Sequence, residues 1–242
     1  MRVSRLYLPL PLHTGTLVLL DDDSAHYLRT VLRLKQGDEL VVFDGEGGEF
    51  PAVLREVHRD SVRIQLGEPV QRDVESTLAT HLGLGVSRGE RMDWAIQKAV
   101  ELGVSAITPL FTEHCVVRLD EARKAQRRQH WQRIAQSACE QCGRNRLPEI
   151  HEPTTLQNWV VRREGLRLFL HPEGGRNLRE LTPPAGQICL LTGPEGGFSE
   201  GERLLALDAG FVPLCLGPRI LRTETAALAA LAAIQALWGD LG

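Results

Sequence analysis

Apolar residues recur in two different rhythms along this chain. Up to about residue 70 they come as short or alternating runs, and residues 3–8, 16–20, 39–43, 50–57 and 61–66 read as strands. Turn chemistry separates them at Gly37-Asp38 and at Asp44-Gly45-Glu46-Gly47-Gly48. One short helix interrupts, with Asp23 or Ser24 as its N-cap and Val31-Leu32 near its end. Short strands at this spacing predict a small β-barrel. The polar, proline-containing stretch Glu68-Pro69-Val70-Gln71-Arg72-Asp73 is the candidate linker.

From Thr77 onward strands alternate with helices, which predicts a parallel sheet covered by helices. The strands are expected at 78–84, 106–111, 166–170, 188–192 and 211–216, as buried-type apolar runs. Helices are expected at 91–102, 121–141 and 225–238. The first places Met92, Ala95, Ile96, Ala99 and Leu102 on one face and closes at Gly103.

Composition narrows the class. Of the 242 residues, 43 % are hydrophobic and 24 % charged, which suits a globular protein with a sizeable core. No apolar run reaches the roughly 18 residues of a membrane span. The start, Met1-Arg2-Val3-Ser4-Arg5, does not read as a signal peptide, so a cytoplasmic protein is expected. Five cysteines, none in the first hundred residues, make a poor disulfide framework. Cys139 and Cys142 form a lone C-x-x-C with no second pair at zinc spacing, so buried or incidental thiols and no metal are expected. The net charge is −3, so any nucleic-acid surface must come from local basic clusters.

Two glycine-containing loops carry the candidate chemistry. In Leu190-Leu191-Thr192-Gly193-Pro194-Glu195-Gly196-Gly197-Phe198-Ser199-Glu200-Gly201-Glu202 a strand runs into a loop and the loop into a helix. The capping-box spacing of Ser199 and Glu202 marks the helix start. Ligands of open α/β sheets bind at the carboxyl ends of strands, and Gly193, Gly196 and Gly197 would let backbone amides approach one. A tight turn that needs glycine explains the same residues. In Leu214-Cys215-Leu216-Gly217-Pro218-Arg219-Ile220-Leu221-Arg222-Thr223-Glu224-Thr225-Ala226 a second strand ends in a loop, and a helix starts near Thr223, a possible cap. Arg222 and Glu224 flank its mouth, a pairing also ordinary at the end of a surface helix. The Ala-rich helix that follows suits either a core or a subunit interface.

These two segments resemble the cofactor loops of the SPOUT methyltransferases, and specifically those of the ribosomal RNA small-subunit methyltransferase E family, which methylates uridine N3 in 16S rRNA. The resemblance extends over the whole chain, through His26-Tyr27-Leu28-Arg29-Thr30-Val31-Leu32-Arg33, Arg88-Gly89-Glu90-Arg91-Met92-Asp93-Trp94, Lys98-Ala99-Val100-Glu101-Leu102-Gly103-Val104 and Glu140-Gln141-Cys142-Gly143-Arg144. It implies an α/β protein with an N-terminal PUA-like β-barrel RNA-binding domain over residues 1–72 and a SPOUT methyltransferase domain with a deep trefoil knot over residues 73–242. It also implies a homodimer, 16S rRNA of the small subunit as partner, and S-adenosylmethionine held in the knot. The cofactor positions carried over are Leu170, His171, Thr192, Gly193, Pro194, Glu195, Gly196, Leu216, Gly217, Ile220, Leu221, Arg222 and Thr225.

Uridine N3 carries an imide proton, so the enzyme must remove it or stabilise the anion, whose charge spreads to the flanking carbonyl oxygens. A preorganised cation there assists, and Arg222 is the candidate. A carboxylate with a raised pKa would accept the proton: Glu224 or Glu195, between which the sequence does not choose. His26, Arg29, Arg33, Arg88, Arg91, Lys98 and Arg144 are the candidate RNA contacts, with Arg29 and Arg33 expected to share a helix face. Arg118, Arg123, Lys124, Arg127, Arg128, Arg133 and Arg146 add to a positive bias between 118 and 146.

Two rival readings remain. Gly83-Leu84-Gly85-Val86-Ser87-Arg88-Gly89 approaches a dinucleotide fingerprint, but its third glycine falls one residue late. A non-enzymatic RNA-binding module would keep the barrel and the basic helices and carry the loops as relics. Cofactor binding separates all three.

Overall fold

A computed structural model describes residues 3–59, 61–117, 120–161, 163–172 and 174–242; Arg118 lies outside them. The chain divides into two compact units. The first takes the residues up to Glu75 together with Cys139–Leu147, and the second takes Ser76–Ala138 together with Pro148–Gly242.

In the first unit, five strands among the described residues form one sheet: β1 (Ser4–Tyr7), β2 (Leu17–Leu19), β3 (Glu39–Phe43), β4 (Phe50–Val57) and β5 (Val62–Leu66). Their spatial order is β1-β3-β4-β5-β2, so the pairing is an open path that ends in β1 and β2. The β1–β3 pair is parallel and the rest are antiparallel. Period-two burial sets the inner face: Val62, Ile64 and Leu66 point inward while Arg63 and Gln65 do not. Leu28 fills this core from the short helix α1 (Asp22–His26), which widens into a turn closed by Leu32 N–H donating to Tyr27 O at 3.0 Å. The helix is capped by Asp21, whose side chain accepts from the Ser24 amide at 2.8 Å, so the cap lies two residues before Asp23 and three before Ser24, the expected positions.

The segment after residue 138 is tied in by buried charge. Arg5 donates to Glu49 at 2.6 Å and to the Asn145 side chain. Arg144 Nε donates to Glu75 at 2.8 Å, and Glu75 also accepts from the amides of Asn145 and Arg146. Residues 70–72, read as linker, are engaged as well: Val70 pairs with Glu49 across the backbone, and Arg72 O accepts from Asn145.

The second unit is a parallel sheet in the order β12-β10-β11-β6-β7-β8, with the short β9 also against β7. Its strands are β6 (Thr80–Gly85), β7 (Ala106–Phe111), β8 (Glu149–Ile150), β9 (Thr154–Thr155), β10 (Leu166–Leu170), β11 (Ile188–Thr192) and β12 (Val212–Leu214). Every residue of β6 and β11 is buried, as central parallel strands covered on both faces require. The helices are α2 (Glu90–Glu101), α3 (Glu121–Cys142), α4 (Leu156–Val160), α5 (Glu200–Asp208) and α6 (Thr223–Trp238). The last turn of α3 belongs to the first unit. The α2 helix buries Met92, Ala95, Ile96, Ala99 and Val100, and Gly103 at φ +80° ends it. The Ala-rich α6 packs on α2, burying Ala227, Leu228, Ala230, Leu231 and Ile234. Cys139 is buried, and burial pushes its thiol up to about 12. No helix among the described residues is long and apolar enough to cross a membrane, and no group of three or more metal-ligating side chains occurs there.

Candidate active site

Because β10 lies between β11 and β12, all parallel, the carboxyl ends of these strands stand side by side, with Leu170 in register with Leu214. The loops that leave them enclose a cavity of about 410 Å³. Its wall is made by Leu170-His171-Pro172, by Thr192 to Glu195 with Gly197 and Phe198, and by Leu214, Leu216 and the loop that leads into α6.

The first loop is held by close approach. A Cβ on Gly85, at the end of β6, would lie 2.6 Å from the Gly193 carbonyl carbon and 2.8 Å from Pro194 Cδ, so only glycine lets the loop rest there. Gly83, two residues earlier, leaves the same kind of room for Trp159. The two glycines that suggested a dinucleotide fingerprint are therefore packing positions. Gly196 sits against His114, which hydrogen-bonds its carbonyl at 3.0 Å. The loop ends where Ser199 and Glu202 form the expected capping box of α5. In the second loop Gly217 adopts φ +92°, and residues 217–220 are all exposed.

Among the described residues, four titratable side chains stand on the wall: His171, Glu195, Arg203 and Arg219. Burial alone would raise the Glu195 carboxyl. Hydrogen bonds from its own amide, from the Arg88 amide and from the Arg91 guanidinium (3.1 Å), with the Arg91 charge, hold it below the usual carboxylate range instead. Arg203 Nη1 donates to His171 Nε2 at 2.9 Å and pairs with Glu200. Since guanidinium only donates, that ring nitrogen is an acceptor. Arg219 has no hydrogen bond or ion pair among the described residues. The Thr192 hydroxyl oxygen is buried on the wall with no partner.

Of the expected cofactor residues, Leu170, His171, Thr192, Gly193, Pro194, Glu195, Leu216, Gly217, Ile220 and Leu221 line the cavity, while Gly196, Arg222 and Thr225 do not. Glu224 is also off the wall. Arg222 is the N-cap residue of α6 and is exposed; Thr223, expected as the cap, is the first helical residue. Phe198, Arg203 and Arg219 line the cavity and were not singled out. Phe198 and Arg219 lie inside the two loops, a signal that would have found them; Arg203 carried none.

The expected RNA contacts divide. His26, Arg33, Arg88 and Arg91 are exposed. Arg29 donates to the carbonyls of His58 and Arg59, and Arg33 sits beyond the helix in the left-handed region (φ +57°), so the two do not share a helix face. Lys98 pairs with Glu101 at 2.7 Å. Arg144 is corrected: it is only 7 % exposed and pairs with Glu75 at 2.6 Å, so its guanidinium serves the fold and is not presented to a ligand.

An RNA methyltransferase domain family matches residues 74–235, and an RNA methyltransferase PUA domain family matches residues 20–67. The ribosomal RNA small subunit methyltransferase E of Buchnera aphidicola from Schizaphis graminum is 37 % identical over 99 % of this chain and 98 % of its own. The Bacillus subtilis protein of the same name is 30 % identical over 88 % and 87 %. A Legionella pneumophila methyltransferase solved with bound cofactor SAM superimposes with TM-score 0.97 at 41 % identity, both chains covered in full. The Neisseria gonorrhoeae ribosomal RNA small subunit methyltransferase E, bound to S-adenosyl methionine, does so with TM-score 0.94 at 38 % identity, again over both full chains. Similarity that runs end to end through both units, and includes the loops around this cavity, makes the chain a member of the ribosomal RNA small subunit methyltransferase E family.

Proposed function

We propose that this enzyme transfers the methyl group of S-adenosylmethionine to N3 of a uridine in the 16S rRNA of the small ribosomal subunit. The observation that carries the reading is the cavity at the carboxyl ends of β10, β11 and β12, in a chain that matches its named relatives over almost its whole length. The cavity fits the cofactor. Its volume lies within the roughly 300–1,000 Å³ of small-molecule sites. Leu170, Leu216, Leu221 and Phe198 offer apolar surface, and the Thr192 hydroxyl, unpartnered among the described residues, offers with Arg203 hydrogen-bonding groups to a charged end. When bound, the cofactor supplies an electrophilic methyl on a sulfonium.

The residues of the chain hold and orient. A general base works best with a pKa near the operating pH, and Glu195 is displaced the other way, so its part is to anchor the first loop to Arg88 and Arg91. Arg222 and Glu224, at the start of α6 and off the wall, are assigned to contact with incoming RNA; His26, Arg33 and Arg88 are assigned to its phosphates. A homodimer is supported by Leu204, Leu207 and Leu237, left about half exposed on α5 and α6. A deep trefoil knot is supported by the course of the chain, which adds β12 outside β10 and then returns as α6 against α2 and β11. The chain acts in the cytoplasm, where its substrate is assembled.

The test is transfer of labelled methyl from S-adenosylmethionine to small subunits lacking native modification, followed by nucleoside analysis. Label in N3-methyluridine is expected. Label in another nucleoside would overturn the position of attack, and no label would overturn the reaction.

A further inference from the structure

We propose that Arg219 is the catalytic cation of this site, its guanidinium pairing with a uracil carbonyl oxygen beside N3 and stabilising the charge that develops there. The inference rests on the methyl-transfer reading above and goes further by naming the group that makes N3 reactive.

Each of the other titratable groups on the wall already has work within the fold. Glu195 accepts two donors from the start of α2, and Arg203 is shared between His171 and Glu200, which also fixes the accepting nitrogen of His171. Arg219 alone of the four holds no hydrogen bond or ion pair among the described residues, so nothing in the folded unit uses its charge. The loop presents it outward. Gly217 turns the chain through φ +92°, Pro218 fixes the next φ, and Arg219 and Ile220 are delivered exposed to the mouth of the cavity. Ile220 beside it is 87 % exposed, an apolar side chain that the fold leaves uncovered. Arg222 is exposed as well, but it is off the wall, at the N-cap of α6.

The chemistry needs such a cation. The N3 proton passes to solvent water, since Glu195 is occupied by donors and is the only carboxylate on the described wall. The electron pair left behind spreads over N3 and the two flanking oxygens of the ring. The N3 pair then forms the new N–C bond while the C–S bonding pair leaves with sulfur, and the ring returns to neutral as N3-methyluridine. A guanidinium at the ring oxygen favours the ionised ring and the transition state alike, and its planar fork suits an oxygen that is gaining charge.

Arg219→Ala, Arg219→Lys and wild type are compared in methyl transfer to unmodified small subunits, with cofactor affinity measured separately by calorimetry. Arg219 is exposed and unpartnered, so thermal unfolding is expected to be unchanged in both variants. For Arg219→Ala the expected result is a fall in kcat of about 100- to 1,000-fold, as for loss of one oxyanion donor, with cofactor affinity preserved. Turnover of that variant should continue to climb with pH beyond the range where the wild type levels off, because its substrate must ionise unaided. Added guanidinium ion should restore part of the rate, and Arg219→Lys should retain an intermediate one. A wild-type kcat in Arg219→Ala overturns the proposal. So does a loss confined to KM for RNA, which would make Arg219 a phosphate contact, or one confined to cofactor affinity. A wild-type protein that forms no N3-methyluridine overturns the parent reading, and this one with it.

Discussion

Gly85→Ala adds one methyl group beneath the cofactor loop. Its Cβ would lie 2.6 Å from the Gly193 carbonyl carbon, 2.8 Å from Pro194 Cδ and closer still to the Pro194 nitrogen. Non-bonded heavy atoms rest at roughly 3.5–4.0 Å, so the loop backbone must retreat by about 1 Å. No rotamer change relieves the contact, because the obstructing atoms are mostly backbone and the loop is pinned at both ends, by Thr192 in β11 and by the Ser199 cap of α5. Overpacking of this kind costs about 1–3 kcal/mol. For a unit of this size that corresponds to a fall in Tm of about 2–4 °C per kcal/mol. Gly193 and Pro194 both line the cavity, so the same shift should weaken cofactor binding by about tenfold or more, given that a 1 Å misplacement can cost a hundredfold in catalysis. Scanning calorimetry with and without S-adenosylmethionine, together with titration calorimetry, reads both effects. Gly186→Ala is the control: a Cβ there meets nothing within 4 Å, and its stability should stay within about 0.5 kcal/mol of wild type. A Gly85→Ala protein with wild-type Tm would refute the packing argument. A lower Tm with undiminished cofactor affinity would refute the assignment of this loop to the cofactor.

Arg5→Ala leaves Glu49, whose side chain is only 10 % exposed, without its main partner, and should cost about 3–5 kcal/mol in urea unfolding; a wild-type midpoint would contradict this. Arg144→Ala should destabilise the protein while leaving the salt dependence of RNA affinity unchanged, and a slope shallower by about 1 would restore Arg144 as a phosphate contact. Glu195 is held below the usual carboxylate range, so the stability its ionised form contributes is fully present above about pH 4.3 and is lost as pH falls through the lowered folded value. Arg91→Ala raises that folded value towards the ordinary one, so the acid loss of Tm from this group should be smaller and complete at a higher pH; coincident acid limbs would count against the ion pair.

Several elements were legible because their signals are local. The strands Ala106–Phe111, Leu166–Leu170 and Ile188–Thr192 begin and end where the apolar runs do, and Ser199 with Glu202 marks α5 from two side chains. The five residues of α4 and the two-residue strands β8 and β9 are too short to show a period, although α4 delivers Trp159 to the core. Both glycine-containing loops could be picked out because each follows a strand, and the family resemblance, not the residues alone, gave them to the cofactor. That they enclose one cavity depends on β10 lying between β11 and β12, a non-local order no window of residues reveals. Choosing among arginines was the hardest part. Arg144, Arg203, Arg219 and Arg222 look alike as letters; a carboxylate, Glu75 or Glu200, has taken the charge of the first two, and of the others only Arg219 lines the cavity. A basic cluster read from sequence counts cations without subtracting those the fold uses.

The interleaving of the two units has a consequence for biosynthesis. The first unit needs Asn145 to engage Arg5 and Arg144 to engage Glu75, yet these residues are translated about eighty positions after the last of its strands. Domains generally fold from the N-terminus as they leave the ribosome. Here the nascent first unit must wait, with Arg5 and Glu75 lacking these partners, until residue 147 has emerged and about two fifths of the second unit is already exposed. A gene fragment stopping at residue 75 would therefore encode every strand of the first sheet and still omit part of what holds it closed.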